Sequence, residues 1–474
     1  MSTPTPPSPK FYALIDYEDP YVQPLILSAL SARIPESSYA LIPTLSSLPT
    51  PKSPLLQFRQ YEAIDFPHLL AHPSSSLTNS YIIRKALIRK HYLSTTVANW
   101  ITKYPDSALK KHVKPAVEFE VDYAEFLDEA LVEAWELRES WARNEGPGGE
   151  EKEWWILKPG MSERGQGIRL FSSEEELTRI FEGWEEDEEE DEEEDEEEDE
   201  DARSDQDEAG IEANKIKPQG TGIITSQLRH FIAQQYIHPP LLLKLSQDKD
   251  TPPRKFHIRT YVLSVGALKV YVYKPMLALF AARPYTAPSD LSGAVIQNSD
   301  EALRAHLTNT CLQDSNEREG SVELFWRLSD ELTGLNSNSK SNATLNSTST
   351  SNPSDLPPSS SWKQSIFTQI LTTTSEIFEA AARSMSIHFQ PLPNCFEIFG
   401  LDFLVDADLN VWLLEVNAFP DFRQTGVDCK GVVEGLFMGV VDTVVAPFFG
   451  VDGVVGKEGE DDMVRVLDVD LGRR

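Results

Sequence analysis

Cysteine is scarce in this chain of 474 residues. Only Cys311, Cys395 and Cys429 occur, and no C-x-x-C pair is present. This pattern argues against a disulfide framework and a zinc site, and it fits a reducing compartment. The first residues lack the apolar core of a signal peptide, and no uninterrupted run of about eighteen apolar residues occurs. We therefore expect no membrane partner and a cytoplasmic or nuclear location, with the cytoplasm as the default.

Basic residues are also few, because 43 Lys and Arg stand against 76 Asp and Glu, for a formal net charge of -33. The unbroken acidic run Glu185–Asp201 holds roughly half of the excess. We find no basic stripe and no aromatic RNA-recognition motif, so direct nucleic-acid binding is not expected. The acidic segment 183–220 and the Ser/Asn-rich segment 336–361 cannot bury much apolar surface. Both are predicted to be disordered insertions.

Two apolar runs, FEIFGLDFLV and VWLLEV, flank a polar segment at 406–410. This arrangement is typical of a β-hairpin with a short turn. Because the runs are too continuously apolar for half-solvated strands, we expect two buried central strands. Asp402, Glu415 and Asn417 lie within them, where an unpaired charge is costly and must be compensated.

A divalent cation is the leading candidate for that compensation. Mg²⁺ takes hard oxygen ligands, commonly one or two carboxylates together with nucleotide phosphates and water. Side chains two apart on a strand share a face, so Glu415 and Asn417 point together, and Asp402 can reach the same ion across the hairpin. The alternative is that the three side chains only bond to neighbouring backbone groups. The combined spacing favours the metal.

A second group of residues can contact an anion. WWILKPGMSERGQGIRLF predicts a strand ending at Lys158 and a glycine-bearing loop that returns into a second strand. The glycines permit close backbone approach to an anion, although no P-loop motif is present. Farther on, Lys255, His257 and Arg259 alternate with apolar residues and line one strand face. We interpret this face as a buried anion-binding wall, and a solvent-facing strand is the alternative.

The mixture of strands and helices predicts an α/β (α+β) protein of three domains. A small N-terminal α/β domain occupies 1–80, a central domain 81–235 and a C-terminal domain 236–456, and 457–474 form a loose tail. The apolar spacing predicts helices over Val22–Leu30, Tyr81–Ile101, Asp122–Asn144, Trp362–Ile387 and Val432–Val445.

Several blocks of the sequence together resemble the tubulin tyrosine ligase family, which has the ATP-grasp fold. The blocks are WWILKPGMSERGQGI, IAQQYIHPPLLL, RKFHIRTYVL, the Pro284–Tyr285 pair, HLTNTCLQ and FGLDFLVDADLNVWLLEVN. They cover most of the chain outside the two insertions. KPMLALFAARPY is also similar to the ligase-like domain of a fungal P-body-associated protein. The resemblance implies an ATP-grasp fold with nucleotide bound between the central and C-terminal domains.

The resemblance further implies roles for single residues. Lys158 and Lys85 match phosphate-contacting lysines, and Lys85 also belongs with the catalytic residues. Arg259 and Thr308 match positions near the reacting carboxylate and the amino acid. The nucleotide positions are Gln234, Gln235 and Ile237 at the hinge facing adenine, and Lys255 near the ribose. His257 is also assigned to cofactor binding. Asp402, Glu415 and Asn417 match the magnesium ligands, in agreement with the physical argument above.

The implied activity is ATP-dependent amide formation with ATP and Mg²⁺. A protein carboxylate takes the γ-phosphoryl group and becomes an acyl phosphate, and the amino group of a free amino acid then displaces phosphate. No nucleophilic side chain is required. Tyrosine and the tubulin C-terminus, or another acidic-tailed protein, are the default substrates, and glutamate or glycine addition is the near alternative.

Two positions depart from the family pattern. His257 stands where the family has Asp. Leu279 stands where it has an Arg that would hold the carboxylate of the amino acid. Arg283 replaces the family's Glu, but it lies on the order of 13 Å farther along the strand, too far for a simple swap. These departures leave a second hypothesis, a catalytically silent ATP-binding interaction module associated with mRNA-decay bodies.

Overall fold

A computed structural model describes most of the chain. The described residues are 9–146, 152–160, 166–186, 228–245, 252–290, 300–308, 321–330, 332, 361–425, 429–451 and 462–472. Most of the predicted insertions 183–220 and 336–361 lie outside them. Residues 183–186 are the last part of a helix over 174–186, so the structured chain continues farther into the acidic segment than predicted.

The described strands and helices alternate along the chain. The strands are β1 Phe11–Asp16, β2 Tyr39–Leu41, β3 Leu55–Arg59, β4 Ser76–Thr78, β5 Ala116–Glu120, β6 Trp155–Pro159, β7 Arg169–Phe171, β8 His230–Gln235, β9 Leu242–Leu243, β10 Arg254–Val265, β11 Lys269–Tyr273, β12 Leu277–Phe280, β13 Val322–Leu324, β14 Phe396–Val405, β15 Val411–Ala418 and β16 Met463–Asp468. The helices are α1 Val22–Arg33, α2 Phe66–Ala71, α3 Lys85–Ile88, α4 Lys90–Lys103, α5 Leu109–His112, α6 Leu127–Ala130, α7 Trp135–Glu145, α8 174–186, α9 Asp300–His306, α10 Trp362–Ser384 and α11 Lys430–Val440.

The chain divides into two compact units. Unit 1 contains Met1–Val113, Pro239–Tyr285 and Thr308–Arg474, and unit 2 contains Lys114–His238 and Thr286–Leu307. This division differs from the three predicted domains, because the segment before Val113 belongs with unit 1. The three-domain boundaries stay a prediction.

Unit 1 begins with the predicted small α/β motif. Its sheet has the order β2-β1-β3-β4, and every pairing is parallel. The crossovers α1 and α2 explain this, since parallel neighbours need a connection that returns along the sheet. A parallel bridge between Thr78 and Cys395 links β4 to the chain just before β14.

The second sheet of unit 1 is built around the long strand β10. On one side β10 pairs antiparallel with β12 and β11, and on the other it pairs antiparallel with β14. Ile258 and Phe403 face a core that includes α10, whereas Tyr261 and Ile398 face a core that includes α1 and α11. Both faces are covered, which explains why β10 and β14 read as nearly continuous apolar runs.

The predicted hairpin is confirmed as β14 and β15, joined by a turn at 406–410. The prediction of two central strands is only half right. β14 lies between β10 and β15, but β15 pairs with β14 alone among the described strands. Helices α3, α5 and α10 pack against β15, so an edge strand covered by helices also reads as an apolar run.

Unit 2 contains an antiparallel sheet of order β5-β8-β6-β7. The predicted return of the chain after Lys158 is confirmed, because β6 and β7 pair antiparallel. Residues 161–165 of the intervening loop, including Gly165, lie outside the described residues. Phe231, Trp155 and Phe171 belong to the core of this unit.

Two predicted helices are interrupted. The pattern from Tyr81 to Ile101 forms the short α3 and the longer α4, because Arg89 between them is extended, with φ -101° and ψ 122°. The pattern from Asp122 to Asn144 splits into α6 and α7. Apolar periodicity identifies the buried face in both cases and does not reveal the break in the backbone.

The predicted loose tail 457–474 is wrong over its described strand, Met463–Asp468. β16 pairs antiparallel with β11, and Met463 and Leu467 are buried. The register shifts between the pair of Val270 with Leu467 and the pair of Tyr271 with Arg465, so Met463 and Leu467 lie in two different cores of unit 1 while Arg465 is exposed.

The chain from Lys430 to Phe448, which begins with α11, is long and apolar enough to cross a membrane by length and composition. Its apolar residues pack inside unit 1, where Val433, Leu436 and Val440 are fully buried or nearly so. A buried helix in the core of a globular protein can have the same length and apolar composition as a membrane-spanning helix.

Candidate active site

A row of ionic side chains crosses three neighbouring strands of unit 1. Arg259 on β10 lies opposite Asp402 on β14, and Asp402 lies opposite Glu415 on β15. Opposite residues in antiparallel strands place their side chains on the same face, with Cβ atoms about 5 Å apart. Asn417 is opposite Gly400, two register positions from Glu415, and therefore shares that face.

A β-bulge in β15 brings Glu415 to this face. The register passes from Asp402 opposite Glu415 to Phe403 opposite Leu413, which leaves Leu414 as an extra residue. In a regular strand without the bulge, Leu413 and Glu415 are two residues apart and would share a face. With it, Leu413 packs in the core while Glu415 joins Asp402 on the other side.

Arg259 forms a two-point pair with Asp402. Its Nε donates to Oδ1 at 2.5 Å and its Nη2 donates to Oδ2 at 3.1 Å. The amide Nδ2 of Asn417 lies 3.2 Å from Oδ2 of Asp402 and 3.0 Å from Oε1 of Glu415. The three predicted metal ligands are therefore gathered at one place, together with Arg259.

Burial controls the charges of this cluster. Burial raises the pKa of Asp402 to about 6, with a further rise from the negative charge of Glu415, while Arg259 opposes both. Burial by itself would lower the pKa of Arg259, but the charge and hydrogen bonds of Asp402, together with the nearby Tyr261 and Glu415, outweigh burial and the pKa is raised. Arg259 is thus a permanent buried cation.

His257 lies beside this cluster and is neutral. Burial and the nearby Arg259 lower the pKa of its imidazole to about 3. Its Nδ1 shares a hydrogen bond of 2.6 Å with Oγ1 of Thr308. Its Nε2 is 3.5 Å from Oδ1 of Asp402 and has no aligned hydrogen-bond partner. The expected burial of Lys255, His257 and Arg259 is confirmed, but the imidazole adds no charge to this face.

The donor set fits Mg²⁺ but not a metal held by protein ligands alone. Two carboxylates and one amide suit a hard cation whose remaining ligands are phosphates and water. Among the described residues, no group of three or more His, Cys, Asp or Glu side chains forms a metal site. Asp402 is engaged by Arg259, so Glu415 and Asn417 would carry much of the binding. Metal binding by these residues stays a prediction.

The predicted nucleotide residues of unit 2 lie on adjacent strands. Nζ of Lys158 on β6 donates to Oε1 of Gln234 on β8 at 2.8 Å. Gln235 is the last residue of β8, and Ile237 is buried two residues later. Lys158 lies opposite Ile232 and Gln234 opposite Ile156, so the Lys158 side chain reaches along the sheet to Gln234, whereas Ile237 follows the other end of this strand pair. The contact of these residues with a nucleotide stays a prediction.

Lys85, the other predicted lysine, is exposed at the first position of α3 in unit 1. Its neighbour Arg84 is buried and was not predicted as part of the site. The guanidinium of Arg84 lies 2.8 Å from the carboxylate of Glu397, 3.8 Å from the ring centre of Tyr61 and 5.1 Å from that of Phe419. The sequence feature that could have indicated this ion pair is Glu397, an acid near the start of the apolar run FEIFGLDFLV.

Comparison with known proteins agrees with this geometry. Residues 76–452 match the model of the tubulin-tyrosine ligase family. A probable tubulin–tyrosine ligase of Schizosaccharomyces pombe is 42% identical over 92% of this chain and 91% of its own length. The probable tubulin–tyrosine ligase PBY1 of Saccharomyces cerevisiae is 39% identical over 87% of this chain, which spans about half (49%) of that protein.

A solved structure has the same fold. The C-terminal domain of K. lactis Pby1, described as an ATP-grasp enzyme interacting with the mRNA decapping enzyme Dcp2, superposes with a TM-score of 0.63. It is 34% identical and covers 97% of this chain and 99% of its own. The predicted ATP-grasp fold is therefore confirmed. With a family match over most of its length and relatives of this similarity, the chain belongs to the tubulin-tyrosine ligase family.

Proposed function

We propose that the chain is a Mg-ATP-dependent ligase that joins an amino acid to a protein carboxylate. The observation that supports this most is the row of Arg259, Asp402 and Glu415 with Asn417 on one sheet face. Buried charges are costly, and a cluster of this composition suits a reaction in which negative charge is transferred. The default substrates remain tyrosine and the C-terminus of tubulin.

Different side chains are assigned to the phosphate groups of ATP and to the acceptor carboxylate. Lys85 and Lys158 are each assigned to phosphate oxygens as point charges, and Glu415 and Asn417 would hold Mg²⁺. The ion, when bound, neutralises charge on the transferring phosphoryl group. The acceptor carboxylate forms the acyl phosphate with release of ADP, and the amino group displaces inorganic phosphate and loses a proton. Nη1 of Arg259 takes no part in the two bonds to Asp402, and we assign it to the acyl phosphate.

The test is incorporation of labelled tyrosine, glutamate or glycine into detyrosinated tubulin by the purified chain with Mg-ATP. Glu415→Gln should abolish incorporation, because it removes a charged ligand and leaves the strand intact. Asp408→Asn is the matched control, since Asp408 is exposed in the turn of the same hairpin. Incorporation that is equal in the wild type and Glu415→Gln would refute the proposed site.

A second candidate function is ATP binding without transfer, in an interaction module of the cytoplasmic mRNA-decay machinery. Two observations favour it: His257 and Leu279 differ from the family pattern, and the K. lactis relative is described as interacting with Dcp2. It predicts Mg-ATP binding that depends on Glu415, and no incorporation of any amino acid. Binding of labelled ATP by wild type and Glu415→Gln separates this outcome from a chain that lacks the nucleotide site.

A further inference from the structure

The segment from Tyr123 to Trp135 in unit 2 exposes an unusual set of large apolar side chains. Tyr123 is 53% exposed, Phe126 47%, Val132 53% and Trp135 65%. These four are half of the eight large apolar side chains that are strongly exposed among the described residues. Single exposed apolar residues are ordinary, but a concentration of them within one short segment points to an interaction site.

The exposure of these four side chains does not reflect a poorly packed core. Leu127 and Leu131, from the same segment, are buried in the core of unit 2, together with Ala134. The segment is therefore anchored, and its two kinds of apolar residue point in different directions. The rings of Tyr123 and Phe126 also lie 6.3 Å apart, edge to face, on the exposed side. Trp and Tyr are the residues that contribute most to binding energy at protein interfaces.

The charges around these residues have one sign. Between 122 and 139 the chain has seven acids and a single basic residue, Arg138. The acids are Asp122, Glu125, Asp128, Glu129, Glu133, Glu136 and Glu139. Asp122 forms an ion pair of 2.7 Å with Arg229, and Glu139 forms an exposed one of 3.9 Å with Arg143. A nucleic acid, an anionic lipid surface or the acidic tail of tubulin would be repelled from this surface.

We propose that the surface formed by Tyr123, Phe126, Val132 and Trp135, the aromatic surface, binds a basic polypeptide segment of a partner protein. Apolar side chains of that segment would cover Trp135 and Phe126, while its Lys and Arg residues would face the surrounding acids. This goes beyond the proposed ligase function, because binding needs neither nucleotide nor any of the site residues. A partner that recognises this surface is chemically different from an acidic acceptor tail.

The test uses short fluorescently labelled peptides and the full chain. One peptide combines Lys and Arg with Leu and Trp; a second replaces the basic residues by Glu, and a third replaces the apolar residues by Ser. Fluorescence anisotropy should show binding of the first peptide alone, weakened by added salt. Trp135→Ala should weaken binding at least about tenfold, as expected for an interface tryptophan. A double variant, Glu133→Gln with Glu136→Gln, should weaken it and reduce its salt dependence.

Ile387→Ala is the matched control, because Ile387 is 74% exposed and lies in unit 1. It should bind the first peptide as the wild type does, and thermal melting should be unchanged in all variants. Equal binding by the wild type and Trp135→Ala, equal binding of the acidic peptide, or no binding at millimolar concentration would each overturn the proposal. So would a dimer in solution that Trp135→Ala dissociates, because the occupant would then be a second copy of the chain. Incorporation of amino acids into tubulin is unaffected by any of these outcomes, so the two proposals fail separately.

Discussion

His257 and Leu279 lie directly opposite each other on β10 and β12. They are two of the three positions, with Arg283, at which the sequence departs from the expected ligase pattern, which has Asp and Arg at these two. In strand positions of this kind, opposite charges would face each other across the pair. Here a neutral imidazole faces an aliphatic side chain, so the two departures form one local change in the sheet.

The first prediction concerns this pair. Leu279→Arg alone should destabilise the protein by about 3 kcal/mol or more, because it buries an unpaired charge at a position that is 1% exposed. His257→Asp adds a carboxylate near Asp402 and should also destabilise. The double variant should recover about 1 to 3 kcal/mol of the summed loss, measured as free energy of unfolding in urea.

The control for this cycle combines His257→Asp with Leu263→Arg, since Leu263 is on the same strand but six positions away. That combination should show no recovery. If the double variant at 257 and 279 also shows none, the two positions do not interact. If it gains amino-acid incorporation that the wild type lacks, the missing pair explains a silent enzyme.

The second prediction concerns Gly400 in the middle of β14. A Cβ atom there would lie 2.8 Å from Cβ of Pro420 and 3.3 Å from Cδ of Arg259. Gly400→Ala should therefore cost about 1 to 3 kcal/mol in unfolding free energy. It should also weaken Mg-ATP binding, because Arg259 and the chain after Asn417 must move.

Gly431→Ala is the matched control, because nothing lies within 4 Å of a Cβ at that position in α11. It should be neutral or should stabilise by up to about 1 kcal/mol, since alanine favours a helix. Equal unfolding free energies for the two variants would mean that the packing around Gly400 adapts without cost.

The third prediction is a pH dependence that comes from Glu397. Burial raises the pKa of this carboxyl to about 7 from its usual 4.5, although Arg84 and the backbone N–H of Tyr81 oppose the shift. The folded protein therefore holds a proton that the unfolded chain has released. This contribution to stability is complete below pH 4.5 and is lost as the pH rises through about 7.

Between these two pH values the free energy of unfolding should fall by an amount on the order of 3 kcal/mol, and Glu397→Gln should abolish this pH dependence. Urea unfolding across this pH range should show a steeper fall in the wild type than in Glu397→Gln. Glu434→Gln on α11, where the side chain is 42% exposed, should keep the wild-type slope. Parallel curves for wild type and Glu397→Gln would show that Arg84 keeps the carboxylate ionised throughout.

The fourth prediction concerns the C-terminal strand. Removing 457–474 deletes the buried side chains of Met463 and Leu467 and exposes the apolar residues that they cover. It also leaves β11 unpaired on one side. Two buried apolar side chains of this size contribute about 3 to 6 kcal/mol, so the melting temperature should fall by several degrees or more. Leu467→Ala should reproduce part of the loss, whereas the exposed Asp470→Asn should not. An unchanged melting temperature after truncation would mean that β16 adds no stability.

The sequence alone was sufficient for features that depend on near neighbours in the chain. Alternation of basic and apolar residues predicted β10, and two apolar runs around a polar segment predicted the hairpin of β14 and β15. The shared face of Glu415 and Asn417 follows from their spacing of two. The family resemblance, carried by blocks in a fixed order, was enough for the ATP-grasp fold. These inferences use only local geometry and composition, which a sequence states directly.

Other features depended on contacts between distant segments, and only the tertiary structure decided them. The opposition of His257 and Leu279 needs the register of β10 with β12. The bulge at Leu414, which moves Glu415 to the face of Asp402, needs the register of β15 with β14. The docking of 463–468 on β11 corrected the predicted loose tail. Strand register and edge position arise from which segments meet in three dimensions, and the same alternating pattern is compatible with many such pairings.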